Sequence, residues 1–69
     1  MSNNSVYKTI EITGTSPTDV ADAIRTAITK ASETVRNIDW FEVVTIRGAV
    51  ADGTVATFQV TLKIGFRLD

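Results

Sequence analysis

The chain has 69 residues, seven Lys and Arg against eight Asp and Glu, and neither Cys nor His. This excludes disulfides and zinc-type centres, leaves no histidine base for nucleophilic catalysis, and gives none of the basic excess that marks a nucleic-acid binder. A chain of this size buries only ~60% of its unfolded surface by itself, so partners are expected to supply the missing burial, and self-assembly is the first expectation.

Residues 1–5 are polar and are expected to form a flexible N-terminal tail; residues 6–69 are expected to form a single domain. Val6 to Thr13 reads VYKTIEIT, a β-branched alternating run that predicts a strand. Gly14-Thr15-Ser16-Pro17 is the punctuation after it. Ser16 suits a helix N-cap and Pro17 the first helical position. Apolar residues then recur at Val20, Ile24, Ala27, Ile28, Ala31 and Val35, a helical spacing that predicts a helix over about 17–36. Its small alanines predict close packing onto a sheet.

Asn37-Ile38-Asp39 reads as a short link. Two long strands follow, WFEVVTIRGAVA from Trp40 and TVATFQVTLKIGFRL from Thr54, joined at Asp52-Gly53, a strong hairpin turn signal. In the last strand Phe58, Val60, Leu62, Ile64 and Phe66 share one face. The expected architecture is α+β: a β-α-β-β order, with a three-stranded antiparallel sheet partly wrapped around one helix. Strands of ~12 residues would run ~40 Å, while a globule of this length is only about 28 Å across. The hairpin must therefore curl, project, or both. One helix cannot cover both sheet faces, and the second face carries Trp40, Val44 and Ile46 by alternation.

A two-residue turn at Asp52-Gly53 pairs Ala51 with Thr54. The same register sets Glu42 opposite Lys63, Ile46 opposite Gln59 and Trp40 opposite Gly65. Trp40, Ile46, Gln59 and Gly65 then share the uncovered face, offering an aromatic plate, an amide and aliphatic walls to a flat heteroaromatic ligand. An interface tryptophan beside a surface glutamine fits the same pattern. Arg47 and Arg67 are candidate anion ligands, because guanidinium matches phosphate; without further context, two solvated surface charges are the simpler reading. Arg67 falls on the Trp40 face. Unbroken alternation sets Arg47 on the opposite one, and a bulge near Gly48 would be needed to bring it across. No glycine spacing matches a phosphate-binding loop, and the acidic residues show no paired-carboxylate logic.

Taken together, these pieces resemble the dodecins, a family of small flavin-binding proteins. The resemblance lies in VYKTIEITGTS, the helix end ITKASETVRNI, Trp40 opening the second strand, Arg47-Gly48 and the closing FQVTLKIGFRL, over about residues 6–68. It implies a hollow homo-oligomer of twelve subunits that holds FMN, riboflavin or a related flavin between subunits, with paired rings stacked between two Trp40 side chains. It further implies that Gln59 bonds the polar ring edge and that Arg47 and Arg67 lie near the flavin phosphate. Some relatives bind coenzyme A, for which Lys8, Lys30 and Thr34 are candidates. The function expected is flavin storage and buffering with quenched photochemistry, not catalysis. A flavin-dependent oxidoreductase and a ligand-free assembly module are the alternatives. No metal, nucleic acid or membrane partner is expected, and the expected compartment is the cytoplasm.

Overall fold

The computed structural model describes residues 4–69; the first three residues of the expected tail lie outside the described part. Four elements follow in order: β1 (Tyr7–Ser16), α1 (Val20–Ala31), β2 (Ile38–Ala51) and β3 (Thr54–Arg67). All pairing is antiparallel and the strand order is β1-β3-β2, so the last strand is the central one.

That position explains the sequence of β3. Val60, Leu62 and Ile64 alternate onto the helix side and are fully buried. Ile10 and Ile12 of β1 and the stripe Val20, Ile24, Ala27, Ile28 and Ala31 of α1 pack against them. The helix lies mainly over β1 and β3; of β2, Ile38 packs against its core. Gly14 allows the close approach: a Cβ there would strike the Ala23 carbonyl and meet the Ala27 Cβ at 2.8 Å.

Three sequence expectations need correction around this helix. First, β1 does not stop at Thr13; Gly14, Thr15 and Ser16 pair with Val60, Gln59 and Phe58, because the glycine serves packing and not a turn. Second, the N-cap is Asp19, whose carboxylate accepts the Asp22 amide at 2.7 Å. Ser16 is buried one step earlier, where its Oγ accepts from the Thr18 and Asp19 amides and donates to Asp22 Oδ2 at 2.6 Å. Pro17 therefore lies in the connection and not in the first turn. Third, the helix ends at Ala31. The Ser32 hydroxyl donates to the Ile28 carbonyl at 2.8 Å, and the Glu33 amide bonds the Lys30 carbonyl, a tightened three-residue spacing that ends α-helical turns. Asn37, at φ 65°, then turns the chain into β2.

The β2–β3 hairpin closes at Asp52-Gly53 with φ of 53° and 76°; positive φ at both central residues is the geometry that twisted hairpins require. Each strand has 14 residues, and the molecule measures 60 × 20 × 14 Å. The hairpin thus projects, as its length demanded, and leaves Ile46, Val50 and Val55 more than half exposed. No helix among the described residues is long and apolar enough to cross a membrane.

Candidate functional site

The hairpin register shifts between Ile38 and Trp40, between Val43 and Thr45, and between Ala49 and Val50. The last shift leaves Ala56 as an extra residue on β3, and Val44 is an extra residue on β2, so the two offset each other. Between them the pairing slips by one: Ile46 stands opposite Val60, and Arg47 stands opposite Gln59. Ile46 therefore lies on the Val60 side of the sheet and not beside Gln59, and Val44 sits at a bulge. Arg47 joins the Trp40 face through these bulges, and its Nε donates to Gln59 Oε1 at 3.3 Å.

Below Val44 the simple register returns, and Trp40 pairs with Gly65 as expected. A Cβ at residue 65 would fall inside the indole, 2.6 Å from Cδ2 and closer still to Cε2 and Cζ2. Only glycine lets the ring lie there, flat on the strand and 42% exposed. The Tyr7 ring flanks it, with centroids 6.5 Å apart and planes tilted by 44°. The Tyr7 hydroxyl donates to Asp39 Oδ2 at 2.8 Å. That bond holds the phenol above its ordinary pKa; Asp39's negative charge acts in the same sense, while Arg67 opposes it. Arg67 itself pairs with Tyr7 across β1 and β3.

The four residues expected at the site thus share one uncovered face but form two clusters. Trp40 with Arg67 and Tyr7 stands at one end; Arg47 with Gln59 stands further toward the hairpin tip. Gly65 and Gln59 are six residues apart on β3, a backbone separation of about 20 Å. Within one chain, an indole plate and the amide cannot flank the same three-ring ligand closely. Lys30 and Thr34 line a groove of about 340 Å³ with Ile12, Ala27 and Glu33, where Lys30 pairs with Glu33 at 3.3 Å. Lys8 is not part of that groove; it lies on β1, opposite Phe66 of β3. Among the described residues no cluster of acidic side chains could hold a metal ion.

Sequence reasoning missed Tyr7 and Asp39. Their contact spans the central strand, so it depends on the β1-β3-β2 order, which a β-α-β-β succession alone does not determine.

The family model for Dodecin matches residues 6–69. The curated dodecin of Thermus thermophilus is 45% identical over 93% of both chains. The solved dodecin of Streptomyces coelicolor is 51% identical, with a TM-score of 0.93 over 99% of this chain and 97% of that one. Solved variants of the Thermus dodecin replace a tryptophan in one case and an arginine in two others. Each is 42% identical over 96% of this chain and 97–98% of its own, with TM-scores of 0.91–0.92.

Proposed function

The chain belongs to the dodecin family, and from that membership and the Trp40 site we propose a flavin-storage protein, not an enzyme. It holds FMN or a related flavin between subunits of a closed homo-oligomer, twelve subunits by family resemblance. The observation that carries this reading is the indole of Trp40 laid over Gly65 with its ring half exposed. A flat aromatic plate on an uncovered sheet face suits a planar ring ligand.

The other residues fit the same ligand. Gln59 accepts from Arg47 through its carbonyl oxygen, which leaves its NH2 group to donate to a ring oxygen or nitrogen. Arg67, beside Trp40, supplies a cation for a phosphate. The separation of the plate from the amide within one chain supports a pocket completed by a second subunit. So does the length of hairpin that the helix leaves bare. When bound, the flavin supplies the light absorption; the chain orients the ring, excludes water from its faces and quenches its excited state by electron donation from Trp40. In the same reading coenzyme A is a second ligand. Lys30 and Thr34 share a groove for it, and Lys8 stands apart.

Titration of FMN into the purified protein, followed by absorption and fluorescence beside a native mass measurement, tests the reading. Bound FMN should lose its fluorescence, and the mass should correspond to twelve chains. FMN that stays fluorescent at excess protein would refute it.

A further inference from the structure

Among the described residues Trp40 has one aromatic ring partner, and that partner has a base. Tyr7 and Trp40 lie with centroids 6.5 Å apart, a distance at which an electron passes between rings without an intermediary. The Tyr7 hydroxyl donates to Asp39 Oδ2 at 2.8 Å. A phenol that loses an electron becomes a strong acid, so its oxidation is easy only where a base receives the proton at once. Here a carboxylate already accepts that hydrogen bond. We propose that Tyr7 and Asp39 form a proton-coupled electron donor to Trp40, restoring the indole after it has lost one electron. The relay rests on the flavin reading only for its natural oxidant, a photoexcited heteroaromatic ring stacked on Trp40.

The step balances without any further reactant. One electron moves from the phenol to the indole radical cation. The O–H bond of Tyr7 breaks, and an O–H bond forms at Asp39 Oδ2. The products are a neutral indole, a neutral phenoxyl and a carboxylic acid. The electron taken from Trp40 resides on the excited oxidant. Its return to the phenoxyl, with the proton passing back from Asp39, closes the cycle with nothing consumed. The consequence is protection of the plate. An oxidised indole that lingers is open to irreversible reaction, and transfer to Tyr7 removes the electron deficit first. The chain has one Trp and one Tyr, so the optical signals of donor and acceptor are each unambiguous.

Pulse radiolysis of the flavin-free protein with azide radicals, which oxidise indoles by one electron, provides the test. Indole-radical absorption should decay as phenoxyl absorption grows, at a single rate independent of protein concentration and slower in D2O. In Tyr7→Phe the indole radical should persist and no phenoxyl should form. In Asp39→Asn, which keeps the side chain's shape, transfer should slow at least tenfold. An indole radical that decays equally fast in Tyr7→Phe, or an Asp39→Asn variant that transfers at the parent rate, would overturn the relay. Because no flavin takes part, a protein that fails to bind flavin leaves this result standing, and one that binds flavin without transfer loses only the relay.

Discussion

The indole of Trp40 occupies the space that any side chain at Gly65 would fill. This contact between β2 and the central strand fixes the plate's orientation, so it can be broken from either side. Gly65→Ala should tilt the ring off the strand with little loss of fold, because the indole is half exposed and free to move outward. Trp40→Ala removes the plate altogether. Both should lower flavin affinity by the stacking contribution, ~0.5–1.5 kcal/mol beyond area burial, or roughly two- to tenfold. Fluorescence of bound flavin should recover most in Trp40→Ala. Parallel FMN titrations of the two variants check this, and parent-like quenching in Trp40→Ala would show that the indole is not the plate.

The pairing of Arg47 with Gln59 separates the roles of the two arginines. Gln59→Ala should weaken riboflavin and FMN alike, by ~0.5–1.5 kcal/mol for neutral hydrogen bonds. Arg47→Ala removes the group that holds Gln59 Oε1, so it too should weaken riboflavin. Arg67→Ala should weaken FMN more than riboflavin, which has no phosphate. Added salt should narrow that gap, since an exposed charge pair is screened. Calorimetric titration of both ligands into the three variants decides it; equal losses for both ligands in Arg67→Ala would remove Arg67 from the phosphate.

Much of this was legible before the structure. The alternation Val60-Leu62-Ile64 and the stripe from Val20 to Ala31 specify which faces meet, and Asp52-Gly53 specifies where the hairpin closes. The Trp40–Gly65 pairing could be counted from that turn. What the count could not show is the pair of bulges at Val44 and Ala56. Valine and alanine carry no bulge signature, so the register between them slipped unseen and put Ile46 where Arg47 belongs. Gly14 misled for the opposite reason. Glycine beside Thr, Ser and Pro reads as a turn, whereas here it makes room for a helix. Tyr7 and Asp39 stayed hidden because their strands, β1 and β2, are not neighbours in the sheet: the contact reaches across β3, whose central place the chain order alone does not give.

The packing at Gly14 predicts a stability effect remote from the ligand. A methyl group there would strike the Ala23 carbonyl, which is backbone and cannot rotate away, and would crowd Ala27 at 2.8 Å. The helix must shift off β1, loosening the contacts of Val60 and Leu62. Overpacking of this kind costs about 1–3 kcal/mol. Chemical denaturation of Gly14→Ala should show that loss in midpoint. A variant as stable as the parent would mean that the helix does not sit this close.

The cluster around Trp40 can also be read through the titration of Tyr7. The hydrogen bond to Asp39, aided by that carboxylate's charge, favours the neutral phenol, and Arg67 favours the ionised one. The folded pKa therefore lies above the ordinary value of about 10. A group whose pKa rises on folding contributes its stability below the unfolded pKa and loses it as pH climbs through the folded one. The contribution of Tyr7 is thus fully present at neutral pH and disappears above pH ~10. The chain has a single tyrosine, so tyrosinate absorbance follows this group alone. Asp39→Asn should lower the midpoint toward 10, and Arg67→Ala should raise it further, because it removes a cation that opposes Asp39. Spectrophotometric titration of the three proteins measures all of these shifts. A parent midpoint at or below 10, or one unmoved by Asp39→Asn, would show that the phenol and the carboxylate are not joined in solution.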